Sequence, residues 1–171
     1  MPPEARAVVE LRRLLRDNEA DAAVLDGLVA EVAAVSGREG SLGPEAAAFL
    51  AVKLHAWYTA FESILERIAR VVEGGLPGGP APHQDLLRGM TLPLAEVRPA
   101  VIDPARLPGL SDMLAFRHFF RHAYAVSMDV AELRRHASRL QGLHPGVRQD
   151  LRGFESLVRG WIQALEECTR P

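Results

Sequence analysis

Residues 50–75 read LAVKLHAWYTAFESILERIARVVEGG, and this stretch decides the fold. Leu50, Leu54, Trp57, Phe61, Ile64, Ile68 and Val71 recur at spacings of four and three. That rhythm puts all seven on one side of an α-helix, and Gly74-Gly75 then stops the run. A half-buried strand would alternate every second residue, and no alternation of useful length occurs in the chain.

The same rhythm appears on either side. Val147, Leu151, Phe154, Val158, Trp161 and Leu165 form a second stripe, with His144 ahead of it and Pro145 placed for a first helical turn. Residues 4–35 read as one long helix with Leu11, Leu15, Leu25, Leu28 and Val32 on one side, closed by Gly37 and Gly40. SLGPE (41–45) opens the helix of the deciding stretch, and GGLPGGPAP (74–82) is loop. A short helix is expected over 83–90. Pro93, Pro99, Pro104 and Pro108 then punctuate an extended crossing. Two further helices are expected near 110–126 and 129–140, the latter capped by Asp129. The sum is an all-α antiparallel bundle of four to six helices. No internal repeat and no dividing linker appears, so 1–171 is expected to be a single domain.

Composition sets outer limits. Hydrophobic residues make up 48% and charged residues 25%, which argues against disorder. No apolar run approaches the ~20 residues of a membrane span. The opening MPPEARAVVELRR carries Glu4 and no apolar core, so no secretory signal is expected. Cys168 is the only cysteine, which excludes an internal disulfide and a cysteine-based zinc site. The cytoplasm is the expected compartment. Net charge is −2, but it is unevenly spread. Residues 1–40 hold five arginines against eight acids; residues 113–152 hold seven arginines against three acids, with four of the six histidines. Such a basic stretch is either an anion-binding face or a solvated one.

FRHFFRHAY (116–124) concentrates that charge. With Arg117 at zero on a helical wheel, Arg121 falls at about 40°, His118 at about 100° and His122 at about 140°. Met113, Phe116 and Phe120 fall on the opposite side, where they can pack on the bundle. Tyr124 stands at the edge of the polar arc. Guanidiniums give permanent bidentate contacts to phosphate, and imidazoles exchange protons near neutral pH. The bland reading is a solvated helix face. Against it, four basic side chains within six residues repel one another without an interleaved acid.

Arg117, four residues, His122, one residue, Tyr124 resembles the R-x4-H-x-Y signature of HepT toxins in the HEPN superfamily. HQDLLRGM (83–90), VRPAVID (97–103) and LAFRHFFRHAY (114–124) are similar to a HepT-like branch found beside small nucleotidyltransferases. The resemblance covers 45–168, with 1–40 as a helical extension. It implies a HEPN-like bundle and a metal-independent endoribonuclease toxin without cofactor. It further implies that His122 takes the proton from a ribose 2′-hydroxyl while Arg117 holds the scissile phosphate, leaving a 2′,3′-cyclic phosphate. His118 and Arg121 would bind substrate alongside them. The implied partners are RNA, a second copy of the chain in a homodimer, and a nucleotidyltransferase antitoxin that adenylylates Tyr124. The alternative is a non-catalytic HEPN module that binds nucleotide or scaffolds a partner, since phosphate binding needs the same residues.

Other candidates carry less. His118 and His122 at i,i+4 suit two metal ligands, but no third is evident, so no metal is expected. His55 reads as a packed histidine, and His83 as a cap or solvent group or, alternatively, as a residue lining the cleft. Tyr58 and Glu62 read as an ordinary helical pair. Arg134, Arg135 and Arg139 read as a solvated face or, alternatively, as the extension of an RNA track. Trp57 and Trp161 belong to the core or to a dimer seam, because their stripes offer more apolar surface than two helices need.

Overall fold

The computed structural model describes residues 2–122 and 129–168, with His122 described by its backbone only. Five α-helices account for most of them: α1 (Pro3–Ser36), α2 (Pro44–Ile68), α3 (Pro82–Met90), α4 (Leu107–His122) and α5 (Val130–Cys168). Among the described residues there is no strand, only an isolated bridge between Leu94 and Arg98. The protein is an all-α helical bundle.

Helix α2 is its hub. Leu50, Leu54, Trp57, Phe61, Ile64 and Ile68 have no exposed surface, and α2 packs against α1, α3, α4 and α5. Burying each such side chain contributes about 1.5–3 kcal/mol before chain entropy is counted. After Ile68 the helix widens into a π-turn, Ala69–Glu73. Gly74 ends it in the left-handed region at φ 81°, which a residue without Cβ adopts freely.

Helix α1 is a core element rather than an appendage. Leu14, Leu15, Leu25 and Val32 are buried, while the expected Leu11 and Leu28 are partly buried. Its acidic side meets the basic side of α5. Glu19 pairs with Arg159, and Asp26 with both His144 and Arg148 at 2.9 Å, while Arg12 and Glu166 pair in the opposite sense at 2.6 Å. The uneven charge read from the sequence is therefore partly spent between helices. Trp57 lies wholly inside this arrangement, stacked on Phe61, and Trp161 sits edge-on to Phe154. Helix α1 covers the stripe that had implied surplus apolar surface for a dimer.

Two helices were expected where α5 is one. Pro145 lies inside it instead of opening a new helix. A proline there removes one hydrogen bond and costs about 3 kcal/mol in an unsupported helix. Support comes from the flanking residues. His144 accepts at Nδ1 from Trp57 Nε1 (3.3 Å) and faces Asp26 through Nε2, while Leu140, Val147 and Leu151 are buried. The start of α5 is as expected, with Asp129 Oδ1 accepting from the Ala131 amide at 2.9 Å.

Helix α4 buries Leu110, Met113, Leu114 and Phe116, and Phe120 packs partly against the core. Its start is tied to α5 by Arg106, whose guanidinium donates to Asp150 at 2.6 and 3.1 Å. Gly146 makes room for that crossing, since a Cβ there would overlap the guanidinium. Among the described residues, no helix is long and apolar enough to cross a membrane.

Candidate functional site

The site is built where α4 crosses α2 and the first turn of α3 approaches both. Packing Phe116 and Met113 into the core rotates Arg117 toward α2, so its side chain is buried rather than part of a solvated arc. Arg117 Nη2 meets Glu62 Oε2 at 2.9 Å, and Nε points weakly at Thr59 Oγ1, 3.4 Å away. Nη1 is buried and has no acceptor among the described residues. The expected arc thus divides: Arg117 turns inward, His118 is half-buried, and Arg121 is exposed.

The missing acid of the basic stretch comes from another helix. Glu62 is only 5% exposed, so beyond Tyr58 on its own helix it needs partners from other helices. It faces two partners at once, Arg117 at Oε2 and His83, whose Nδ1 lies 2.9 Å from Oε1. That approach is short but not aligned as a hydrogen bond, and Oε1 has no donor among the described residues. His83 is no helix cap: α3 starts after Ala81 without a side-chain cap, and the His83 ring stands edge-on to His118 with centroids 5.7 Å apart. His55, on α2, packs against Phe120 at 4.9 Å and keeps a buried Nε2 without a partner.

Electrostatics follow from this crowding. Burial, then the neighbouring His83 and Arg117, lower the His118 pKa below 6.5 and favour its neutral form. Burial, then Arg117 and Arg121, do the same to His55. Tyr58, buried beside Glu62, has its hydroxyl held well above the usual range by burial first and by that carboxylate second. The phenol therefore stays neutral at the foot of the site.

Of the residues singled out from sequence, Arg117 and His118 are brought into this cluster and Arg121 to its exposed edge. His122 ends α4, but its side chain and all of Tyr124 lie outside the described residues. Asp112 pairs with Arg139 at 3.0 Å, and Arg134 donates to the Arg38 and Gly40 carbonyls at 2.8 and 2.7 Å. Two of the three arginines considered for an RNA track are thus engaged within the chain, and Arg135 is exposed. A cavity of about 320 Å³, lined by Val101, Asp103, Asp150, Phe154 and neighbours, includes none of the site residues.

Sequence reasoning missed the roles of Glu62 and Thr59, and it read His83 as lining the cleft only as its lesser alternative. The available signal was Glu62 itself, an acid set between Phe61 and Ile64 in the most apolar stripe of the chain. A charge on a buried face demands a partner. Chemically, the arrangement offers a guanidinium held by a carboxylate, with one N–H pair unmatched, beside an imidazole favoured in its basic form.

A model of the family described as HepT-like protein matches residues 49–158. The match takes in most of α2, all of α3 and α4 and most of α5, and leaves α1 outside; the resemblance read from motifs ran over 45–168. No curated protein and no solved structure matches the chain.

Proposed function

Because the chain belongs to the HepT-like family of the HEPN superfamily, we propose that it is a toxin of that kind, a metal-independent endoribonuclease. The observation that carries the reading is Arg117 Nη1, buried, charged and without an acceptor. A fixed guanidinium with unmet hydrogen-bonding capacity suits an anionic oxygen, and leaving such a group unmatched costs ~1–3 kcal/mol or more. A scissile phosphate supplies that oxygen.

In this mechanism Glu62 orients Arg117, and Nη1 takes a non-bridging phosphate oxygen, stabilising the charge that develops there. His122 removes the proton from the ribose 2′-hydroxyl. The 2′-oxygen bonds to phosphorus as the bond to the 5′-oxygen breaks, and the leaving 5′-oxygen takes a proton from water, giving a 2′,3′-cyclic phosphate and a 5′-hydroxyl. His118 and Arg121 contact substrate beside the reacting phosphate. The reaction needs no metal, and it needs RNA because DNA lacks the nucleophile.

The functional unit is a homodimer acting in the cytoplasm. Phe119 on α4 and Phe49 and Val52 on α2 leave apolar surface on the two helices that carry the site. A nucleotidyltransferase antitoxin silences it by adenylylating Tyr124: the phenol oxygen attacks the α-phosphate of ATP and pyrophosphate leaves. The added anion competes with RNA phosphate for the basic cluster.

Product analysis tests the reading. Purified wild type should release fragments ending in 2′,3′-cyclic phosphate, and His122→Ala should release none while melting as wild type does. Intact RNA with wild type, together with retained nucleotide binding, would favour a non-catalytic module instead.

A further inference from the structure

Glu62 and Glu66 lie one turn apart on α2, and His83 approaches them from the first turn of α3. One donor atom from each falls within 4.8 Å of the others. Nothing in the proposed cleavage uses Glu66, or the second oxygen of Glu62. We propose that these three side chains hold a first-row divalent cation, such as zinc, on the carboxylate oxygen that Arg117 leaves free. The proposal goes beyond the ribonuclease reading and does not depend on it.

Glu62 supplies the decisive observation. It is 95% buried, since 5% of its surface is exposed, yet Oε1 accepts no hydrogen bond. A buried carboxylate oxygen without a donor is costly unless a cation satisfies it. The nearest atom to it named above, His83 Nδ1, is at 2.9 Å without the alignment of a hydrogen bond. Two donors that approach each other without bonding are placed as ligands of one ion are. Bonds of about 2.0–2.2 Å to nitrogen and oxygen separate ligand atoms by at most ~4.4 Å, so closing the set requires only side-chain adjustment.

Competing contacts are weak. Glu66 Oε2 pairs with Arg70 at 3.0 Å, but Arg70 is exposed, and such i,i+4 pairs contribute only ~0.3–0.5 kcal/mol. Arg117 occupies Glu62 Oε2 and stays in place, so the carboxylate bridges guanidinium and cation. His118, edge-on to His83, flanks the site without joining the three ligands. One imidazole with two carboxylates favours zinc over manganese, and it leaves a coordination position for water.

The test is calorimetry on the full-length chain, stripped of metal, with zinc alone and then manganese alone, and no RNA present. One zinc per chain should bind, more tightly than manganese. Because the ion ties α3 to α2, zinc at about a hundredfold above Kd should raise the melting midpoint by roughly 5 °C or more. Glu66→Gln and His83→Ala should each weaken zinc by roughly tenfold or more, while His136→Ala leaves it unchanged. No zinc binding, or equal affinity in wild type, Glu66→Gln and His83→Ala, would overturn the proposal. Loss in His136→Ala alone would do so too, assigning the zinc to another histidine. None of these outcomes touches RNA cleavage, so failure here leaves the ribonuclease reading standing.

Discussion

Arg98 and Arg117 are both buried, 6% and 7% exposed, and each is held by a glutamate from the α2 region. They differ in what remains unmatched. Arg98 donates from Nε to Glu73 at 2.6 Å, from Nη1 to the Leu92 and Pro99 carbonyls, and from Nη2 to the Gly89 carbonyl. Every nitrogen is used, and the guanidinium pins the 89–99 turn to the end of α2. Arg117 has a carboxylate, a distant hydroxyl and an empty Nη1. Burial alone therefore does not separate the two arginines; saturation does. The saturated guanidinium of Arg98 closes the fold, whereas under the proposed function the unsaturated one of Arg117 takes an anion.

The largest effect expected from this contrast is on stability. Arg98→Ala leaves Glu73 and three carbonyls without their donor, and breaking such a buried pair costs about 3–5 kcal/mol. For a chain of this size that lowers the melting midpoint by roughly 10 °C. A midpoint within about 2 °C of wild type would show that saturation is no guide to structural weight.

A smaller effect separates the two regions by pH. Burial lowers the pKa values of His55 and His118 near Arg117, and of His136 and His144 elsewhere, below 6.5. The folded state then binds fewer protons than the unfolded one as pH drops through 6.5, so stability is lost as pH falls toward the folded values. Urea midpoints should decline between pH 7.5 and 5.5, and His118→Asn should flatten part of the slope. An unchanged slope in that variant would remove His118 from the titrating groups.

Much of this was legible in the sequence, and the rest has physical reasons for being hidden. The stripe from Leu50 to Ile68 and the stop at Gly74 gave α2, because burial on one face imposes its period directly. Pro145 misled, because its local cost is offset by Trp57 and Asp26, which only the tertiary structure brings to His144. Arg117 and His118 stood out because their chemistry is local to one helix turn. Glu62 and His83 did not, since their roles exist only once α2, α3 and α4 are packed. The charge-rich 113–152 stretch was ambiguous for the same reason: Arg139 and Arg148 find acids on other parts of the chain.

Arg117→Lys tests the central claim most directly. Lysine keeps the positive charge and can still meet Glu62, but it lacks the forked geometry that leaves a second nitrogen for phosphate. RNA cleavage measured beside thermal melting should show activity reduced by about a hundredfold or more, with the melting midpoint shifted by only roughly 5 °C or less. Cleavage at the wild-type rate in Arg117→Lys would contradict the account, because the unmatched nitrogen would then have no part in the reaction.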